Sequence, residues 1–190
     1  MCHVLVTSFC FNEGMQPQDW IKRKNQRTVL QSLVREVEKQ EKKMVETMEE
    51  REVFDYMISK LNFCKRRLAF SYKEVQGYYA LRKGDICYID FGQAYVMEIG
   101  YLHFGLILAF CHQKAFVVPM TGKCREHKDY IYPLGQIPGL YKESYLFLND
   151  AKWINTARII DVKGHLDPDG ELFQTIQKSV VRCIGVRCQE

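Results

Sequence analysis

Between Arg27 and Phe70 the chain has no glycine and no proline, the two residues that most often punctuate a fold. Their absence excludes a succession of tight turns there and leaves one long helix or a helix pair. No apolar run approaches the length of a membrane span. The N-terminus lacks the basic, apolar and small-residue succession of an export signal. No internal repeat and no low-complexity tract appears, which excludes solenoid and linker-like architectures. Eight cysteines are present, yet none forms a Cys-x-x-Cys pair, which argues against a zinc finger or a thioredoxin-like motif. Nor is there a large charge of one sign: the net charge is +4, compatible with a nucleic-acid partner without demanding one.

What is present suits a globular protein with a core. Over 190 residues, 47% are hydrophobic and 26% charged, enough for one domain or for a small domain with an appendage. Cys87 and Cys111 lie in apolar, strand-like runs, where a reduced thiol acts as a small hydrophobe. With no export signal, free thiols and a cytoplasmic protein are expected.

Residues 1–26 mix aromatics with turn residues and give no clear pattern beyond Trp20 as a candidate anchor. From there Leu30, Leu33, Val34 and Val37, then Met44, Val45 and Met48, then Phe54, Met57, Ile58 and Leu61 recur at helical spacing. The seam fails near Gln40–Glu41 and near Glu49–Arg51, so a sustained coiled coil is not expected. The apolar face is expected to pack on the rest of the fold or on a partner chain. Gly77 and the pair Tyr78–Tyr79 mark the expected boundary between a helical segment, 1–76, and a second domain, 77–190. The basic cluster Cys64–Leu68 reads as solvated surface, with nucleic-acid contact as the alternative.

The second domain is organised around Gly84–Lys123. Ile86 to Phe91 alternate as a strand that Gly92 ends. Phe104–Cys111 and Ala115–Met120 are apolar runs joined by a short polar link, the pattern of a hairpin. Between them lies a loop, Gln93–Leu102, with a lone acid, Glu98. Further strands are expected at Asp129–Leu134, Tyr145–Leu148 and Thr156–Val162. Glu171–Val181 has helical spacing with Asp169 as the expected N-cap. The expected fold is α+β: a small, mostly antiparallel barrel or sandwich preceded by a helical segment and followed by a C-terminal helix.

These residues carry a resemblance. GDICYIDFG, a loop holding an acid, an apolar strand and then VVPMT resemble the MazF/PemK family of toxin endoribonucleases. TARIID at 156–161 resembles that family's Gln-x-Arg-Thr-Ile-Asp strand. The likeness spans roughly 80–170 and leaves the helical segment unexplained. It implies an SH3-like antiparallel β-barrel, a homodimer, single-stranded RNA as substrate, an antitoxin protein as a further partner, and cleavage without metal or other cofactor. It assigns catalysis to Glu98, His103, Thr121 and Arg158. The family's Arg-Pro stands here as His103–Phe104, and the acid some members carry near the last strand falls at Asn155.

The chemistry asked of such residues is definite. The 2′-OH of RNA must lose a proton, the 5′ oxygen must gain one, and the phosphate charge must be held. Glu98 can act as base. His103 exchanges a fixed guanidinium clamp for a group that titrates near neutrality. Thr121 and Arg158 would hold the phosphate, with Lys123 in support. Tyr95, Tyr101 and Phe104 flank the loop and can stack on splayed bases. Each also has an ordinary reading. Glu98 is then a solvated acid, His103 an edge histidine satisfied by backbone, and Thr121 a turn hydroxyl. Arg158 caps the sheet or pairs with Asp90 or Asp161, Phe104 packs in a core, and Lys123 is solvated. Cys111, His112, Cys124 and His127 are the residues open to a zinc site, but neighbours in a strand point to opposite faces; no metal is expected. The alternative to a nuclease is the same barrel, without the family arginine, holding nucleic acid or protein without cutting.

Overall fold

The computed structural model describes residues 27–69, 80–95, 97–123 and 128–185. Trp20, the expected boundary at Gly77, and the pair Cys124 and His127 lie outside the described residues. The chain divides into two compact units, Met1–Val53 and Phe54–Glu190. Among the described residues the helical region is a pair: α1, Arg27–Glu46, and α2, Glu50–Ala69. They break at Thr47–Glu49, where the apolar seam fails, and the Thr47 hydroxyl donates to the Met44 carbonyl at 2.7 Å.

Seven strands follow: β1 Asp85–Asp90, β2 Leu102–Cys111, β3 Lys114–Thr121, β4 Ile131–Gly135, β5 Ser144–Phe147, β6 Lys152–Asn155 and β7 Ile159–His165. The last helix is α3, Glu171–Gly185. All pairings are antiparallel, in the order β4-β5-β3-β2-β1-β7, with β6 also paired to β3. The fold is α+β. The path is open: among the described residues no ladder joins β4 to β7, so hydrogen bonding does not close the sheet into the expected barrel.

The period of two along the strands sets up two cores. Ile86, Leu106, Val118 and Met120 face one side and are covered by Phe173, Ile176 and Val180 of α3. Cys87, Ile89, Ile107 and Val117 face the other, with Ile154 and Ile159. Burial on both faces is why β1 reads as an almost unbroken apolar run. The β2–β3 hairpin turns on His112 and Gln113, with His112 at φ +53°, the left-handed conformation that two-residue hairpins need. β3 is the hub: Lys114–Val117 pair with β6, and Met120–Thr121 with β5. Pro119, which has no N–H to give, falls at the switch between the two.

Three local expectations change. β6 is an additional strand. Thr156–Arg158 is a turn of 3-10 helix rather than strand, because the Asn155 side chain accepts from the Ala157 N–H at 2.8 Å and caps it. The N-cap of α3 moves from Asp169 to Gly170, whose carbonyl accepts from Gln174 N–H. Of the two expectations for the apolar face of α2, packing on the rest of the fold is not met by Phe54, Met57 and Leu61, which are exposed, while Tyr56 and Ser59 are buried.

Candidate functional site

β1 ends in Asp90-Phe91-Gly92, and everything proposed for chemistry is arranged around that end. Gly92 sits at φ +85°, and the chain leaves β1 through a closed loop. Tyr101 N–H donates to the Gly92 carbonyl at 2.7 Å and Phe91 N–H to the Tyr101 carbonyl at 2.8 Å, so the loop's two ends are clasped. The Asp150 carboxylate accepts from Ile99 N–H at 2.5 Å and holds the returning arm from outside.

His103 lies one residue into β2, opposite Ile89 of β1. Phe104 pairs with Met120; carrying that antiparallel register one residue further sets His103 across from Thr121, with side chains on one face. The half-buried ring has Nδ1 2.8 Å from the Gly100 carbonyl oxygen. A carbonyl oxygen only accepts, so Nδ1 carries the proton and, in the neutral ring, Nε2 keeps a lone pair. Burial pushes the His103 pKa down from its usual value; the Gly100 bond and the Asp55 charge oppose that, and Lys123 adds to it. The result is a neutral imidazole with its acceptor nitrogen free of the Gly100 bond. Thr121 ends β3, where its hydroxyl accepts from Lys123 N–H at 3.2 Å, the ordinary turn role. Lys123 is exposed.

Arg158 approaches from the other side of β1. Ile89 pairs with both His103 and Ile159, so His103 and the 3-10 turn stand two strand spacings apart, roughly 10 Å. The Arg158 guanidinium donates to the Asp90 main-chain carbonyl at 3.1 Å, not to a carboxylate. It also lies over Gly92: a Cβ there would meet the Arg158 Nη1 at 2.6 Å. Only glycine allows this approach. Asp161, the other candidate partner, pairs with Lys163.

Glu98 is not drawn into the group. It is exposed near the loop tip, and its carboxylate accepts from Tyr95 N–H at 3.3 Å. Of the aromatics, Tyr95 is 86% exposed and available for stacking. Tyr101, at φ +57°, meets Tyr56 edge-on with centroids 6.4 Å apart. Phe104 packs against Tyr88 at 5.3 Å and against the α3-side core, the packing role named for it. The structure thus brings together His103, Thr121 and Lys123 on one flank of β1, places Arg158 on the other, and leaves Glu98 outside.

Sequence reasoning missed the contribution of α2. The Ser59 hydroxyl donates to the buried Asp90 carboxylate at 2.6 Å, and the same oxygen accepts from Gly92 N–H at 3.0 Å. Arg66 donates to the Ala157 and Ile159 carbonyls at 2.5 and 3.1 Å, one on each side of Arg158. Asp55 is one turn before Ser59 on the same face. No local signal exists for such pairs; only Asp90, an acid closing an apolar strand, invited a partner. A second missed pair, Asp85 with His165 Nδ1 at 2.8 Å, lies at the opposite end of β1. There it ties β7 to β1, and the buried Asp85 also accepts from Arg82 N–H at 2.7 Å. Among the described residues no group of three or more His, Cys, Asp or Glu is arranged to hold a metal, and no helix is long and apolar enough to cross a membrane.

No protein-family model matches the chain, and no curated protein is similar to it in sequence. Solved structures overlay part of it. MazF from Deinococcus radiodurans (Form-I) aligns at 12% identity and a TM-score of 0.49, over 57% of this chain and 100% of its own. An endoribonuclease from a mycobacterial species, solved in complex with its cognate antitoxin, aligns at 15% identity and a TM-score of 0.44, over 58% and 100%. The Mycobacterium tuberculosis toxin MazF-mt6 aligns at 14% identity and a TM-score of 0.42, over 54% and 98%. Overlays this loose assign no function; the side chains have to carry it.

Proposed function

We propose that this chain is an endoribonuclease of the MazF/PemK type, built on an SH3-like sheet left open between β4 and β7, that cuts single-stranded RNA without a metal. The carrying observation is His103: the Gly100 carbonyl fixes its proton on Nδ1, and burial keeps the ring neutral. A neutral, oriented imidazole is what proton abstraction from a 2′-OH requires. In this reading Nε2 takes the proton as the 2′ oxygen forms its bond to phosphorus and the bond to the 5′ oxygen breaks. The leaving oxygen takes a proton from water, and the products are a 2′,3′-cyclic phosphate and a 5′-hydroxyl. Thr121 and Lys123 on one flank of β1 and Arg158 on the other are the donors for the phosphate oxygens. Tyr95 is the stacking surface for a neighbouring base. Glu98, outside the group, is the base of the family pattern and enters this reading only through a rearrangement of the loop on bound RNA. A homodimer, an antitoxin partner and a cytoplasmic location belong to the same reading.

The test is cleavage of a labelled single-stranded RNA in excess chelator. His103→Ala should lower the rate by roughly 10²–10⁴-fold, and Arg158→Ala by roughly 10²–10³-fold. Equal rates in these variants and the parent chain would overturn the assignment. The position of Glu98, exposed and turned to Tyr95 N–H, favours a second reading, a binding module on the same fold. Saturable RNA binding with the RNA recovered intact after long incubation would select it.

A further inference from the structure

Arg158 stands on a single turn of 3-10 helix, Thr156–Arg158, an element too short to fix a long side chain by its own hydrogen bonds. Its backbone is set by two peptide planes. The plane after it is held by Ile159 N–H, which donates to the Thr156 carbonyl. The plane before it is held from α2, where Arg66 Nη1 donates to the Ala157 carbonyl at 2.5 Å. The same nitrogen donates to the Ile159 carbonyl at 3.1 Å, so one guanidinium brackets Arg158 in the chain. Arg158 then reaches over Gly92 to the Asp90 carbonyl.

The place where that guanidinium rests is tied to the same helix. The Ser59 hydroxyl donates to the Asp90 carboxylate at 2.6 Å, and the oxygen it meets also accepts from Gly92 N–H at 3.0 Å. Ser59 and Arg66 are two turns apart on one face of α2, about 10 Å along its axis. One rod therefore grips the end of β1 and the turn that leads into β7. The rod is itself seated: Tyr56 and Ser59 are 8% and 1% exposed, Ile58 is half-buried, and Tyr56 meets Tyr101 edge-on. Strand alternation puts the Asp90 carboxylate on the opposite face of β1 from Ile89, the residue that His103 pairs with. The Ser59 anchorage is thus on the side of β1 away from His103.

We infer that α2 is a fixed brace for Arg158 and that Arg66 is its positioning residue, holding the arginine's backbone so that its guanidinium stands over Gly92. This deepens the proposed function, on which it rests for the role of Arg158, but its test needs no RNA to be cut. The full-length chain is prepared with isotope-labelled arginine for NMR, and the Arg158 side-chain signals are identified by their loss in Arg158→Lys. Arg66→Met keeps the stem and removes the donors; Arg66→Ala, in the last turn of α2, is a second form of the same loss. Arg67→Ala removes an equal charge from the exposed neighbour. Restrained guanidinium rotation at Arg158 is expected in the parent chain and in Arg67→Ala, and free rotation in both Arg66 variants. A fluorescein-labelled 2′-O-methyl oligoribonucleotide, which cannot be cut, supplies the second reading by anisotropy. Arg66→Met should weaken its binding about tenfold. In an Arg158→Ala background the same change should leave binding as it was, because its effect passes through Arg158. Arg158 rotation unchanged by either Arg66 variant, equal loosening by Arg67→Ala, or an equal loss of binding with and without Arg158 would overturn the inference. If Arg158 loosens as expected while the oligonucleotide is not bound and RNA is never cut, the brace stands and the nuclease reading fails.

Discussion

Gly92 allows the site to be perturbed separately from the fold. Replacing it with alanine puts a Cβ on a residue at φ +85°, a left-handed conformation that costs an L-residue roughly 1–2 kcal/mol. For a chain of this size that is roughly 2–8 °C in Tm, at 2–4 °C per kcal/mol. The new methyl would also stand 2.6 Å from the Arg158 Nη1. A guanidinium at the end of a flexible stem yields before the backbone does, so Arg158 should leave the Asp90 carbonyl, 3.1 Å away in the parent chain. Gly135 is the matched control: its φ is +76°, and nothing lies within 4 Å of its missing Cβ. Gly135→Ala should therefore carry the same backbone cost without touching Arg158. Thermal unfolding by circular dichroism and cleavage of labelled RNA, run on both variants, read the two effects apart. Both should lose a similar few degrees, while Gly92→Ala alone loses roughly 10²-fold in rate, the order expected for an electrostatic donor. A Gly92→Ala protein that cuts RNA as well as Gly135→Ala would refute the role given to Arg158.

Two further outcomes follow from protonation. Because burial lowers the His103 pKa in the folded state, the unfolded chain binds more protons just below pH ~6.5. Stability should then rise with pH through the window below ~6.5 and fall on acidification, and His103→Gln should flatten that slope in urea titrations run at several pH values. In imidazole NMR titrations Asp55→Asn should lower the His103 pKa further and Lys123→Ala should raise it; opposite shifts would refute the charge arrangement. The Cys87 thiol is pushed up to about 12 by burial first and by Asp85 and Asp161 next. A thiol reagent on native protein should therefore modify the exposed Cys64 and Cys111 and reach Cys87 only after unfolding, as mass mapping would show.

What the sequence disclosed follows the range of the interactions. The β2–β3 hairpin was legible because two apolar runs and a two-residue turn are local signals. The C-terminal helix was legible because Phe173, Ile176 and Val180 keep helical spacing. β6 was not: Lys152–Asn155 is four residues long and half polar, and it pairs with β3 only because β5 leaves that edge free. In the site, His103 was visible as a titratable group at the start of an apolar strand, but its tautomer depends on the Gly100 carbonyl. Ser59 reaches Asp90 across 31 positions and Arg66 reaches Ala157 across 91, separations at which no spacing rule operates. On α2, Phe54, Met57 and Leu61 follow the apolar rule yet stay exposed, and the fold takes the face of Tyr56 and Ser59, where a buried carboxylate needs a donor.

The central claim is that this chain cuts RNA by attack of the 2′-OH, with His103 taking the proton. The most direct measurement is end-group analysis of RNA incubated with the pure protein in excess chelator. Fragments ending in a 2′,3′-cyclic phosphate and beginning with a 5′-hydroxyl, absent from the His103→Ala reaction, are the predicted result. Intact RNA, fragments with 5′-phosphates, or the same fragments from His103→Ala would contradict it.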